Sequence, residues 1–352
     1  MTAPSSTAAA KAEQKTEPVQ ALSLWWTAPG LAEVSALSSS VAGGLDVGPD
    51  AIYLTTLCTG LSQGTERIVG LGHVPESLWT VMACPHQRGG FGFPICYGYS
   101  LVGVDESGRR WHALHPHSTG ARVAPGWLTE VPVDVPSERA TLLPNVETAL
   151  NAVWAGEVLP GDRCAVVGGG VVGLAVAKIA QAASGIPVSV VEPVCGKRSV
   201  AEGWGCEATD PSDAVAMGKL DGAFDVVFHT SGTEAGLRSA LSLGADDAPI
   251  VEVSWYGDQE PSAPLGREFH YRRLRLVSAQ VANVPPQRRA RWSTLRRREH
   301  AMQLLRDPSW HALIQQRIAF EDAAAWLQEH ISDATFLHTV FEFASADDDT
   351  NT

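Results

Sequence analysis

Three glycines in one short segment can hold the pyrophosphate of a dinucleotide. They are Gly168, Gly170 and Gly173, and they follow the G-x-G-x-x-G pattern. The first permits a tight turn, the second has no Cβ and lets the pyrophosphate approach, and the third lets a helix pack closely on a strand. Val171 and Val172 open that helix, whose free N–H groups and partial positive charge favour phosphates. The spacing therefore predicts a dinucleotide-binding site.

The segments around these glycines supply the elements that such a site needs. An apolar run, 165–167, precedes the cluster, a helical pattern of small residues covers 174–183, and a second apolar run, 188–191, ends on Glu192. This order of strand, turn, helix, strand and acid is typical of a dinucleotide-binding βαβ unit. Glu192 is placed to accept hydrogen bonds from the adenosine ribose, which favours NAD. The alternative is a glycine-rich turn in another doubly wound sheet.

Composition and charge limit the class of protein. A chain of 352 residues accommodates one large or two ordinary domains, and its 45% of hydrophobic residues can build a sizeable core. No run of about 18 apolar residues occurs, which predicts no membrane span. The net charge of -13 argues against bulk nucleic-acid binding. Six cysteines without a C-x-x-C pair, in a chain with no apolar signal segment, predict reduced thiols in a cytoplasmic protein.

The chain divides into segments of different pattern. Residues 22–155 contain short apolar runs separated by Gly and Pro, which is typical of β-structure. Between 156 and 292, apolar runs alternate with helical patterns and predict a parallel sheet. Residues 293–345 contain helical patterns and end on a strand. The ends, 1–21 and 346–352, are predicted to be a disordered tail and an acidic tail.

Several segments resemble the medium-chain dehydrogenase/reductase superfamily, over about residues 22–344. Segment 48–57 is similar to that family's entry into its barrel, segment 320–327 to its closing helix, and segment 225–232, which includes Ser231, to the strand beneath the nicotinamide. The resemblance implies an α/β protein with three consecutive parts: a GroES-like β-barrel catalytic domain (22–155), a Rossmann domain with a doubly wound parallel sheet (156–292), and a return to the catalytic domain (293–345).

Two further motifs correspond to the metal-binding positions of this family. Zinc-type members hold zinc with the Cys of Cys-Gly-Thr-Asp and the His of Gly-His-Glu. Here Gln63 replaces the Cys, and Tyr99 and Ser100 replace the His and Glu. Gln and Tyr are poor zinc ligands beside thiolate and imidazole. We therefore expect no metal, with Cys58, five residues earlier, as the weaker alternative ligand. Gly-Thr-Glu in place of Gly-Thr-Asp, with Gly-Tyr in place of Gly-His, also resembles the branch that contains bacteriochlorophyllide hydroxyethyl dehydrogenase.

Without a metal, hydrogen-bond donors must stabilise charge on the substrate oxygen. The resemblance implies that Thr65 hydrogen-bonds this oxygen and begins a proton relay. The imidazole that often follows in the relay is missing, and Glu66 stands among the residues in its place. Tyr99 either donates a phenolic proton or fills the space left by the metal. Gln63 either orients substrate or presents its amide to solvent.

Other candidates for acid–base or substrate contacts lie in the β-rich part. His115 and His117 flank a proline, which predicts a turn that presents both rings. Imidazole titrates near neutral pH and is a common acid or base, so one of the two is a catalytic candidate; a surface or structural role is the alternative. Glu147 either contacts substrate or caps the helix predicted at 149–154.

Three features belong to the predicted Rossmann domain. The resemblance places Arg198 near the adenosine, where its charge would soften the preference for NAD over NADP. Trp255 and Tyr256 follow a buried strand at the sheet edge where ligands bind, and they either line the nicotinamide pocket or belong to the core. Ten arginines and one acid lie in 267–298. They form a solvated helix face, a mouth for an anionic substrate, or a subunit contact.

These observations predict a zinc-independent oxidoreductase. It would move a hydride between NAD(H), or NADP(H), and an alcohol/carbonyl pair on a polar small molecule, with an anionic substrate as one option. Reduction of a polarised C=C bond, as on the quinone-reductase side of the superfamily, is a second hypothesis. A nucleotide-binding module without catalysis is a third. We expect a homodimer with neither nucleic-acid nor membrane partners.

Overall fold

The computed structural model describes residues 21–36 and 47–344. Nine strands and three helices form its first part. The strands are β1 (Ser23–Ala28), β2 (Leu31–Ser35), β3 (Ile52–Leu61), β4 (Arg88–Gly89), β5 (Ile95–Cys96), β6 (Leu101–Val104), β7 (Arg110–Ala113), β8 (Gly120–Val123) and β9 (Leu128–Glu130). The helices are α1 (Gln63–Gly70), α2 (Ser137–Ala140) and α3 (Leu143–Ala155).

A parallel sheet follows, with helices between its strands. The strands are β10 (Cys164–Val167), β11 (Ser189–Val191), β12 (Glu207–Thr209), β13 (Val226–His229), β14 (Pro249–Glu252) and β15 (Arg275–Ser278). The helices are α4 (Val171–Ser184), α5 (Cys195–Gly203), α6 (Ala214–Leu220), α7 (Glu234–Leu243) and α8 (Glu268–Tyr271). The strand order is β12-β11-β10-β13-β14-β15. Strands β10, β11 and β13 are buried along their whole length, which matches their unbroken apolar runs because helices cover both faces of such a sheet.

The last part of the chain joins the sheet of the first part. It contains α9 (Thr294–Leu304), β16 (Ile314–Ala319), α10 (Ala323–His330) and β17 (His338–Glu342). Strand β17 pairs antiparallel with β3, and the resulting sheet runs β16-β17-β3-β6-β7-β9, with β8 also on β3. A small second sheet has the order β2-β1-β5-β4. The mixed α/β architecture with a parallel sheet confirms the predicted fold class.

Two predictions about the chain ends have no counterpart in this description. The predicted tails, 1–21 and 346–352, lie outside the described residues except for Ala21.

Among residues 21–36 and 47–344, every helix is too short or too polar to cross a membrane.

Candidate active site

Three hydroxyl groups converge where α1 begins. Tyr99 donates its phenolic hydrogen to Ser62 Oγ, and its hydroxyl also hydrogen-bonds the side chain of Thr65. Ser62 directly precedes α1, and Thr65 lies in its first turn. Burial raises the pKa of Tyr99 well above its ordinary value, so the group stays a protonated phenol at neutral pH. The structure thus brings Thr65 and Tyr99 together as expected and adds Ser62 to them.

A buried hydrogen bond between a carboxyl group and an imidazole lies beside this hydroxyl cluster. Glu66 and His117 are fully buried, and Glu66 Oε2 lies 2.9 Å from His117 Nε2. The other carboxylate oxygen of Glu66 accepts the backbone N–H of Ser62 at 2.8 Å. The second ring nitrogen of His117 lies 2.7 Å from Thr59 Oγ1. Glu66 therefore fixes the loop that carries Ser62, and His117 fixes Glu66.

Gln63 is held within the protein. It is the first residue of α1, and its amide nitrogen donates a hydrogen bond to the backbone carbonyl of Asp333. The alternative of an amide facing solvent is therefore wrong. The contact ties α1 to the loop between α10 and β17.

The prediction of a turn that presents both histidine rings is also wrong. His115 is 8% exposed, and its Nδ1 donates to the carbonyl of Pro116 at 2.9 Å. Its ring contacts His86, with 5.3 Å between the ring centroids, and not Thr65 or Tyr99. Burial lowers the pKa of His115 to about 3, which leaves the imidazole neutral. Of the two histidines, His117 is the one that reaches the candidate site.

The alternative zinc ligand, Cys58, is buried on β3. Burial raises the pKa of its thiol to about 12. In the described part of the chain, no group of three or more His, Cys, Asp or Glu side chains is arranged to hold a metal ion.

The glycine-rich turn has the shape that a dinucleotide needs. Gly168 has a φ of 108°, in the left-handed region that favours glycine. A Cβ on Gly173 would lie 1.8 Å from the carbonyl oxygen of Gly168, so a side chain there would push α4 off the turn. The space beside Gly170 is open, and no side chain caps the N-terminus of α4 at Val171 and Val172. The open space and uncapped N–H groups fit a pyrophosphate.

Glu192 and Arg198 lie together at the end of β11. Glu192 is 5% exposed, and its two carboxylate oxygens accept the backbone N–H groups of Gly169 (2.7 Å) and Val194 (2.9 Å). Arg198 donates to the carbonyl of Glu192 at 2.7 Å and pairs with Asp210 at 3.0 Å. The guanidinium of Arg198 is therefore already paired, whereas the carboxylate of Glu192 lies beside the glycine-rich turn.

Ser231 follows β13 on the other side of β10. Its Cα lies 2.7 Å from the place that a Cβ on Gly168 would take, and its hydroxyl lies 2.7 Å from His229 Nε2.

In the loop after β14, Tyr256 donates to Glu252 at 3.1 Å, and Asp258 pairs with His73 at 3.3 Å. The loop after β14 therefore contacts the first part of the chain.

The prediction that Glu147 caps a helix is wrong. Helix α3 begins at Leu143, so Glu147 lies in its second turn, where it accepts from Arg297 Nε at 3.1 Å. Arg297 is 2% exposed.

Arg272 pairs with Asp221 at 3.1 Å and Arg273 with Asp247 at 2.8 Å. The arginine-rich segment is therefore not one continuous solvated face, because Arg297 and Arg298 are buried.

Sequence reasoning did not single out Ser62, Thr59, His229 or Glu252. A serine before a helix is a common N-cap signal, and that pattern could have drawn attention to Ser62. His229 and Glu252 end two apolar strands, where polar residues of a doubly wound sheet meet a ligand. No sequence signal points to Thr59.

Comparisons with known proteins give relatives of one kind. No family model matches the sequence. A 2-dehydro-3-deoxy-L-galactonate 5-dehydrogenase of Pseudoalteromonas atlantica is 26% identical over 204 residues, which cover 56% of each chain. (R,R)-butanediol dehydrogenase of Bacillus subtilis is 32% identical over 132 residues, 36% of this chain and 38% of that protein. The chain thus spans about half or less of the length of these curated relatives.

Solved structures match over nearly the whole chain. A protein described as a zinc-binding dehydrogenase of Sinorhizobium meliloti, bound to NADP, has a TM-score of 0.72 at 16% identity and covers 92% of this chain and 99% of its own. A protein described as a short chain alcohol dehydrogenase of Escherichia coli, complexed with NADH, has a TM-score of 0.70 at 15% identity and covers 92% of this chain and 100% of its own. The proteins to which the chain is similar in sequence and in fold are zinc-type medium-chain alcohol and polyol dehydrogenases, which confirms the resemblance seen in its motifs.

Proposed function

We propose that the protein is a zinc-independent, NAD(H)-dependent oxidoreductase that interconverts an alcohol and a carbonyl on a polar small molecule. The observation that carries this proposal is the hydroxyl cluster of Ser62, Thr65 and Tyr99 at the positions where zinc-type relatives are expected to hold metal. The named relatives are dehydrogenases, and solved proteins of this fold bind NADP or NADH. Cytoplasmic location and a homodimer remain predictions.

The residues of the candidate site can divide the work of such a reaction. A bound nicotinamide supplies hydride chemistry, and the glycine turn and Glu192 would hold its dinucleotide. Thr65 and Tyr99 offer O–H groups that can donate to a substrate oxygen and stabilise the charge that develops there. The raised pKa of Tyr99 keeps its proton available for donation. The buried pair of Glu66 and His117 holds these donors in place.

Zinc content is the first test of this proposal. We expect purified protein to contain only substoichiometric zinc and to keep its activity after treatment with a chelator, because amide and phenol groups replace the usual ligands. Elemental analysis and turnover before and after chelation give the answer. Stoichiometric zinc whose removal abolishes turnover would refute zinc independence while leaving the dehydrogenase assignment intact.

A substrate panel separates the proposed reaction from its alternatives. Polar aldehydes, ketones and alcohols should react, whereas the C=C bonds of enones and quinones should not be reduced. Reduction confined to the enones would favour the C=C reductase. A protein that binds the dinucleotide but turns over no member of either set would favour the nucleotide-binding module.

Cofactor preference is the second prediction. NADH should bind more tightly than NADPH, because the buried carboxylate of Glu192 repels a 2′-phosphate and Arg198 is held by Asp210. Loss of hydrogen bonds to a charged group costs about 1.5–3 kcal/mol, so Glu192→Ala should weaken NADH binding about 10-fold or more. The difference between the affinities for NADH and NADPH should become smaller. Fluorescence titration of both cofactors measures this effect. Glu207→Ala, on the neighbouring strand, is the control; tighter NADPH binding by the native protein would contradict the prediction.

A further inference from the structure

A cluster of arginines lies at the protein surface beside the N-terminus of α9. Its members come from a stretch, 284–296, that contains no Asp or Glu, and they are Arg288, Arg289, Arg291 and Arg296, here called the arginine surface. In the part of the chain that the structure describes, none of these four guanidinium groups pairs with a carboxylate. The local charge is therefore positive, although the whole chain has a net charge of -13.

Two tryptophan rings orient members of the arginine surface. The guanidinium of Arg296 lies over the ring of Trp292, 4.1 Å from its centroid, and that of Arg288 lies over Trp154 at 5.8 Å. The two rings contact each other, with 4.7 Å between their centroids. A cation–π contact holds a guanidinium without using its N–H donors, so these donors stay available for an anion.

Backbone carbonyls fix two of the arginine side chains further. Arg289 Nε donates to the carbonyl of Val284 at 2.7 Å, and Arg296 donates to the carbonyl of Arg291. Each guanidinium carries five N–H donors, so most of them remain free of these contacts. Holding long side chains in place before binding reduces the entropy that a new contact must offset. The arginine surface is therefore preorganised for anions.

Exposed apolar side chains border the arginine surface. Leu295, in the first turn of α9, is 45% exposed. Arg298, one turn later on the same helix face, donates to the carbonyl of Gly126 at 3.3 Å, which places the short turn 125–127 against α9. Trp127, at the end of that turn, is 36% exposed. A leucine and a tryptophan thus lie beside the cations.

This combination of side chains indicates the kind of partner. Arginines with neighbouring exposed leucine and tryptophan are typical of surfaces that lie on anionic membranes, where cations meet lipid phosphates and apolar groups enter the interface. An acidic peptide or a nucleic acid would use only the cations. We propose that the arginine surface binds the phosphates of an anionic lipid membrane, with Leu295 and Trp127 at the interface. The contact needs no membrane-spanning helix, and the proposed function does not depend on it.

The local charge, not the net charge, decides such a contact. The net charge of -13 repels an anionic membrane, but salt screens exposed charges over about 8–10 Å at physiological ionic strength. The lipid headgroups therefore meet mainly the arginine surface. Each arginine close to an anionic membrane strengthens binding about 5-fold, and added salt weakens this attraction.

Flotation of the full-length protein with vesicles tests the proposal. The protein should bind vesicles that contain phosphatidylglycerol, should not bind vesicles of phosphatidylcholine alone, and should be released by added salt. Combining Arg288→Gln, Arg291→Gln and Arg296→Gln should weaken this binding about 100-fold. Lysine at the same three positions should keep most of the binding, because the charge is retained. Leu295→Gln should weaken binding about 3- to 10-fold, because it removes apolar area from the interface.

The matched control removes three arginines elsewhere on the protein. Arg122, Arg267 and Arg275 are exposed and, among the described residues, also lack a carboxylate partner. Replacing these three with glutamine changes the net charge by the same amount and should leave vesicle binding unchanged. Equal losses in the two triple glutamine variants would overturn the proposal, since net charge alone would then explain binding.

Other outcomes overturn the proposal in different ways. If the native protein binds both kinds of vesicle equally, or does not bind either, the arginine surface does not recognise anionic lipid. Binding to polyglutamate or to an oligonucleotide, but not to vesicles, would assign the surface to an acidic protein segment or to nucleic acid instead. Native-like vesicle binding by the Leu295→Gln variant would show that the apolar side chains take no part in the contact, and the assignment to a membrane would then be wrong.

Discussion

Replacing Thr65 with valine should lower turnover about 30- to 1000-fold. Valine keeps the shape of threonine and removes its hydroxyl, and loss of one hydrogen bond to developing charge costs about 2–4 kcal/mol in a closed site. The hydroxyl of Thr65 bonds Tyr99 at the start of α1. Steady-state kinetics on the best alcohol or ketone of the panel gives the result, and NADH binding should stay unchanged.

Tyr99→Phe distinguishes a donor from a residue that only fills space. A donor role predicts a loss similar to that of Thr65→Val, while space filling predicts almost none. Tyr97→Phe is the matched control, because Tyr97 is buried beside Tyr99, with 6.1 Å between the ring centroids, and its hydroxyl bonds Cys84 instead. Normal turnover in Thr65→Val would remove Thr65 from the mechanism. Equal losses in the two phenylalanine variants would show that general packing, not donation by Tyr99, sets the rate.

The glycine turn could be predicted because all of its determinants are local. The strand, turn, helix and acid from Cys164 to Glu192 are consecutive in sequence, and each residue type has a steric reason to be there. Gly173 illustrates this, since its missing Cβ leaves room for the carbonyl of Gly168. Apolar runs likewise predicted β10, β11 and β13, whose burial on both faces removes the need for alternation.

The contacts that assemble the candidate site are not local. Glu66 meets His117 across 51 residues of sequence, and Glu147 meets Arg297 across 150. No spacing rule predicts such pairs, because they depend on how separate strands and helices pack. Helix α1 was not predicted either, since Gly64 and the β-branched Thr65 and Ile68 have low helix propensity that tertiary packing overrides. Tertiary packing also explains the error at His115: the proline beside it predicted an exposed turn, but the fold buries its ring.

The buried pair behind the hydroxyl cluster gives the largest expected effect on stability. Glu66→Ala should lower the free energy of unfolding by about 3–5 kcal/mol, because removing one member of a buried pair leaves the other without its partner. His117 Nε2 and the backbone N–H of Ser62 would both lose their acceptor in a site with no solvent access. Against a typical total of about 5–15 kcal/mol, this loss is large enough to shift a urea midpoint clearly.

Two companion variants show whether burial is the cause of that loss. Glu234→Ala breaks an exposed pair with Arg238 and should leave the free energy of unfolding nearly unchanged, because water and salt screen exposed charges. Replacing both Glu66 and His117 with leucine should recover part of the lost stability, since no polar group of the pair then remains buried without a partner. Urea unfolding followed by tryptophan fluorescence compares all three. A loss for Glu66→Ala no larger than that for Glu234→Ala would show that the Glu66–His117 contact does not hold the loop before α1, and the support assigned to Ser62 and Tyr99 would then have to come from the packing of α1 alone.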